Sequence, residues 1–84
     1  ALALFSCAPS AYAVHSSRAV RALVQAERSG AGEHDPYELT SAQAYLSKAR
    51  EEASEAAYQD AIRYARRSLE HSGKAVATSR AQHG

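Results

Sequence analysis

One cysteine, four histidines, five tyrosines and a run of clustered carboxylates are the residues of this chain that could carry chemistry. Cys7 stands alone after Leu4-Phe5-Ser6. A single thiol closes no internal disulfide and has no second thiol with which to hold zinc or cycle redox states. His15, His34, His71 and His83 are scattered, each without a second ligand one helical turn away, so no helix face carries the paired ligands of a metal site. Glu51, Glu52 and Glu55 gather on one predicted helix, where a solvated charged face is the default reading. No glycine-rich phosphate loop, nucleophile elbow or cysteine–histidine pair is present. No catalytic, cofactor or metal site is therefore expected, and the chain does not read as an enzyme. Arg63, Arg66, Arg67 and Lys74 form a basic strip. It would either meet a phosphate or acidic partner or offset the negative end of a helix dipole, with His71 beside it. Tyr37, Tyr45 and Tyr64 are the candidate interaction surface, since tyrosine on a helix flank brings contact area with a polar tip. The competing reading for them is packing along the flank of a hairpin.

The elements that must place these residues are helical. The chain has 84 residues, an apolar share of 45% and a net charge of +1. That charge leaves no electrostatic footprint for nucleic acid, which calls for a strongly basic face. Over half of the apolar residues are alanine, with no Met or Trp and a single Phe. A core so built is thin, and in a domain near this size it supplies about 3–5 kcal/mol. Support from a partner, a second copy or an anchor is expected.

A first helix is predicted from about Ser10 to Ser29, with an apolar stripe of Ala13, Val20, Leu23 and Val24 and arginines on its other faces. Gly30-Ala31-Gly32 ends it, because glycine readily takes the left-handed conformation that closes a helix. Asp35-Pro36-Tyr37-Glu38 then marks a helix start: a capping side chain, a proline at the first helical position and a glutamate three residues after the cap. Leu39, Ala42, Leu46, Ala49 and Ala53 follow at alternating spacings of three and four, a heptad-like seam suited to a close neighbour. After Ala53 the apolar set shifts to Ala57 or Tyr58, Ala61, Ile62, Ala65 and Leu69. No Gly or Pro separates the two halves, so one long helix and a hairpin are both open. A turn around Ser54 to Ala57 is favoured because it lets the halves bury each other's stripes. Gly73 reads as a stop or weak point, and the end of the chain as a disordered tail. The expected fold class is all-α: a helical hairpin with an additional N-terminal helix, a small three-helix arrangement.

Leu4-Phe5-Ser6-Cys7, behind the apolar lead-in Ala1-Leu2-Ala3, resembles the cleavage and lipidation junction of bacterial lipoproteins. The resemblance implies that Leu4 and Ser6 are recognition positions, that cleavage precedes Cys7, and that Cys7 carries the lipid. Phe5 is bulkier than the usual occupant of its position. Ala8 stands where inner-membrane retention usually needs Asp, so the resemblance implies the periplasmic face of the outer membrane. Two readings compete with it. Ala11-Tyr12-Ala13 could direct ordinary signal cleavage and release a soluble periplasmic protein, or Cys7 could be a buried cysteine of a cytosolic helix.

The stretches Pro36-Tyr37-Glu38-Leu39-Thr40, Ala44 to Ala53 and Tyr58 to Ala65 are similar to the bacterial lipoprotein-associated Domain of Unknown Function 4398. That resemblance covers residues 15–79 and implies an envelope location and a helical fold, with no activity to carry over. Tyr45, Ala49, Tyr58 and Ala61 also resemble the spaced positions of a single tetratricopeptide unit, from which Ala65, Ser68 and Gly73 depart. The expected organisation is the end of a signal peptide at 1–6, a lipidated N-terminus with the first helix and Gly-rich loop at 7–34, the hairpin at 35–79 and the tail at 80–84. The expected function is a membrane-tethered helical scaffold or adaptor, partnered through its lipid by the membrane and through its helices by an envelope protein or a second copy. The alternative is a soluble tetratricopeptide-like module that binds a peptide or self-associates.

Overall fold

The computed structural model describes residues 2–83, with side chains from 8 to 82. All four elements are α-helices: α1 (Leu2–Arg28), α2 (Ala31–His34), α3 (Pro36–Ser54) and α4 (Tyr58–His83). The chain runs up α1, down α3 and up α4, so α1 and α4 are parallel and α3 opposes both. Neighbouring residues fix that sense. Tyr12 meets Tyr58 at one end, Ala19 joins Leu46, Ala49 and Ala65 midway, and Ala26 joins Ala31, Leu39, Ala75 and Val76 at the other end. α4 packs extensively on both α1 and α3, which touch each other less. The result is a rod of 51 × 18 × 14 Å.

The punctuation of this fold is local chemistry. α1 closes at Gly30, whose φ of +89° lies in the left-handed region that costs glycine nothing. α3 opens at Asp35, whose Oδ1 accepts from the Glu38 N–H at 3.2 Å, with Pro36 behind it where no amide donor is needed. The hairpin turn falls where the seam shifts. Ala56 N–H donates to Ala53 O at 3.0 Å and Ala57 N–H to Glu52 O at 2.9 Å, the paired bonds of a Schellman closure. Ala56 takes the left-handed conformation at φ +59°, a strain glycine would avoid. One long helix through this region is thereby excluded.

The core is mostly methyl groups. Ala19, Ala26, Ala31, Ala42, Ala49, Ala61, Ala65 and Ala75 are fully buried, with Leu39, Leu46 and Val76 as the larger members. The α3 seam follows the predicted heptad, with Leu39, Ala42, Leu46 and Ala49 inside. The α4 seam departs from it. Its inward positions are Ala61, Ala65, Ser68, Ser72, Ala75 and Ser79, an alternation of four and three in which three of the six are serine. Leu69, expected on the seam, is 36% exposed. The reason is steric: a residue at a close helix crossing must be small, and serine is nearly as small as alanine. Ser68 Oγ keeps its polarity satisfied by donating to Ala42 O on α3 at 2.7 Å. The Ser72 and Ser79 hydroxyls are buried with no partner among the described residues.

Four other expectations are corrected. α1 begins at Leu2, ahead of Ser10, and carries Pro9 inside it; the alanine- and leucine-rich lead-in favours helix enough to absorb one missing donor. Ala13 and Val24 lie on its outer side, while Ala19 and Ala26 face the core. Gly73 neither stops nor breaks α4: it sits exposed in mid-helix with nothing within 4 Å of where a Cβ would stand. The segment expected as a disordered tail continues α4 to His83, because Ala75, Val76 and Ser79 are buried against the far end of the rod.

Two outcomes follow for stability. Gly73→Ala removes a flexible residue from an open helical position and is expected to stabilise the fold by about 0.5–1 kcal/mol in urea denaturation. Ala65→Leu forces three extra carbons into the three-way crossing and is expected to destabilise it by about 1–3 kcal/mol. If Ala65→Leu were neutral, the methyl-sized seam would not be what sets the helix spacing.

Candidate functional site

The most developed side-chain constellation lies on the flank between α3 and α4. Tyr45 stands one residue before the seam position Leu46, and Tyr64 one before Ala65, so both lean out of the same crevice. Tyr64 and His71 are seven residues apart on α4, two turns or about 10.5 Å of rise. Tyr45 inserts between them. Its ring centroid is 6.1 Å from that of Tyr64 at an interplanar angle of 22°, and 5.3 Å from that of His71 at 9°. Arg67, between the two on α4, holds its guanidinium 5.9 Å from the Tyr45 ring centre, and Arg63 stands 5.6 Å from that of Tyr64. Stacked aromatic pairs contribute about 0.5–1.5 kcal/mol beyond buried area, and exposed cation–π contacts about 0.5–1 kcal/mol.

The ladder ends in an acid–base pair. His71 Nδ1–H donates to Glu38 Oε2, with the two side chains 19% and 17% exposed. Glu38 sits in the first turn of α3, where the helix dipole favours a negative charge. The carboxylate read from sequence as the second half of a capping box thus reaches across to α4. The Asp35 N–H bonds Ala31 O, so the cap is one-sided. A carboxylate that orients an imidazole is also half of a general-base device. Here the face of the imidazole is covered by Tyr45, and the pair joins the start of α3 to the middle of α4. Geometry makes the constellation a clamp between helices that presents a tyrosine–arginine surface outward.

The three candidate tyrosines therefore separate. Tyr45 and Tyr64 are brought together, half-buried, in this ladder. Tyr37 stands apart on the first turn of α3, 72% exposed. The basic strip is redistributed as well. Arg63 pairs with Asp60 at 2.8 Å, and Arg67 covers Tyr45. Because α4 runs on to His83, Arg66 and Arg67 are not at a helix end, and the dipole explanation for the strip fails. The acidic cluster is partly claimed by Lys48, 3.8 Å from Glu51 and 3.6 Å from Glu52, whose charges raise the Lys48 ammonium above its ordinary pKa. Among the described residues no three His, Cys, Asp or Glu side chains gather as a metal site would require. Leu4, Phe5, Ser6 and the Cys7 thiol lie outside the described side chains.

The Glu38–His71 pair was not anticipated from sequence, although a signal existed. Glu38 and Tyr45 are seven apart on one helix, as are Tyr64 and His71 on the other. Antiparallel helices in a hairpin match such mirrored spacings rung for rung.

Residues 16–83 match the family model described as domain of unknown function (DUF4398). No curated protein and no solved structure matches the chain.

If the ladder clamps α3 to α4, Tyr45→Ala removes both stacks and the Arg67 contact together. A loss of roughly 2 kcal/mol is expected by chemical denaturation, below the 3–5 kcal/mol of a fully buried aromatic. A change under a few tenths of a kcal/mol would show that the rings only share a surface.

Proposed function

We propose that this chain, which belongs to the domain of unknown function (DUF4398) family, is a small envelope lipoprotein that acts as a membrane-tethered helical scaffold or adaptor. In this reading it performs no catalysis. The observation that carries it is the shape of the body: a rod 51 Å long with open furrows on its helix surfaces. Such a body offers long contact faces, and a small-molecule site calls for a concave pocket with converging polar groups. The polar pair of Glu38 with His71 is closed upon itself under Tyr45.

The tether is Cys7. Among the described residues no helix is long and apolar enough to cross a membrane, so attachment in this reading rests on acylation of the thiol. Two acyl signals on one residue give stable anchoring, at about 0.8 kcal/mol per buried methylene. Cys7 precedes Tyr12 on α1, and Tyr12 packs beside Tyr58 at the α3–α4 turn. That end of the rod faces the anchor, and the end bearing Tyr37 and α2 lies farthest from it. Tyr37, exposed at that distal end, is the best placed of the tyrosines to meet an envelope partner.

Fractionation of the bacterial host tests the tether. Wild-type protein is expected in the membrane fraction with an intact mass that begins at Cys7 and includes a diacylglyceryl and an acyl group. Cys7→Ser is expected in the soluble fraction after a high-salt wash, with unchanged helicity, whereas the wild type stays with the membrane. Mature protein that begins at Val14, or that retains residues 1–6 unmodified, removes the lipoprotein reading.

A further inference from the structure

We propose that the outer face of α1 binds a lipid surface bearing anionic phosphate headgroups. At 3.6 residues per turn, Val14, Arg18, Arg21, Gln25 and Arg28 project within one arc, opposite the core positions Ala19, Leu23 and Ala26. Val24 stands at the edge of that arc. Val14 is 51% and Val24 37% exposed, and both arginine-flanked furrows on α1 run between them and the guanidinium groups of Arg18, Arg21 and Arg28.

The charge on this face has one sign. Between Ala8 and Ala26 the chain contains no Asp or Glu. Glu27, the sole acid of α1, points toward α3, where its Oε2 accepts from Gln43 Nε2 at 3.4 Å. Among the described residues no carboxylate pairs with Arg18, Arg21 or Arg28. Four of the nine acids of the chain, Glu38, Glu51, Glu52 and Glu55, stand on and beside α3 instead. Arginines interleaved with exposed valines match the interface of an anionic bilayer, where the guanidinium meets phosphate and the short apolar groups settle among the headgroups. A purely electrostatic partner such as nucleic acid leaves the valines without a role.

This face stands apart from the acyl tether, and the test keeps the two separable by using full-length Cys7→Ser, which lacks the anchor. The protein is sedimented with vesicles of phosphatidylcholine alone or mixed with phosphatidylglycerol. Binding is expected only to the anionic vesicles and is expected to fall as salt rises. Each Arg→Gln change at Arg18, Arg21 or Arg28 weakens it about five-fold, and the triple change on the order of 100-fold. The triple Arg→Lys variant retains most of the binding. Arg50→Gln, on α3, leaves it unchanged. Equal binding to neutral vesicles, or full binding by the triple Arg→Gln variant with unchanged helicity, overturns the proposal. A salt-sensitive dimer that the triple variant abolishes, with no vesicle binding, also overturns it and assigns the face to the acidic α3 of a second copy.

Discussion

The spacing between α4 and its two neighbours is set by side chains of one carbon or one carbon and one oxygen. Ala61, Ala65, Ser68, Ser72, Ala75 and Ser79 line the inward stripe of α4, and Ala19, Ala26, Ala42 and Ala49 meet it from α1 and α3. Helices whose crossings carry such residues approach toward the short end of the usual 8–10 Å range. Dispersion contacts between backbones then replace part of the area that large side chains would bury. Everything lateral depends on that approach. Ser68 reaches the Ala42 carbonyl because the backbones are near, and Tyr45 can slide between Tyr64 and His71 because the crevice beside the seam is narrow.

A methyl-lined seam gives little selectivity by itself, since one alanine fits another's place at any register. The flank supplies what the seam lacks. Tyr45 between Tyr64 and His71, and His71 on Glu38, form a ladder whose rungs match in one register only: sliding α3 by one turn would put Tyr45 beyond one of its two partners. The polar bond at its end also joins elements 33 residues apart in sequence. The division of labour is physical. Small residues bring the helices together, and the aromatic and charged ladder fixes which turn faces which.

Legibility in the sequence followed the same division. Features that depend on backbone conformation were readable: the Asp35 cap with Pro36, the Gly30 closure, and the hairpin turn at the seam shift, where Ala56 serves in place of glycine. The α3 seam was readable because leucine punctuates it. On α4, Ala61 and Ala65 were readable, but the continuation through Ser68, Ser72 and Ser79 was not, because serine there is chosen for volume while its letter signals polarity, and Leu69 drew the predicted stripe to the wrong side. Gly73 and the last turns were misjudged for a related reason: propensity marks them as weak, and burial of Ala75, Val76 and Ser79 overrides it. Of the site, the tyrosines were singled out but not their arrangement, and Glu38 was assigned to its own helix because its partner lies across the hairpin.

The distribution of charge completes the physical description. Lys48 and Arg50 offset only part of the acid on and beside α3, whereas Arg18, Arg21 and Arg28 on α1 stand unopposed on their face. A net charge of +1 therefore conceals a rod with a basic edge and an acidic one. Among the described residues no ion pair joins the arginines of the α1 face to the acids of α3, so the basic face is not neutralised within the rod. On the proposed tether at Cys7, a one-signed edge running toward Arg28 would do more than add solubility. It would bias the angle at which the rod stands, because attraction along α1 would draw the helix toward an anionic plane. The face turned away from that plane would then be the one bearing Tyr45, Tyr64 and the exposed Tyr37.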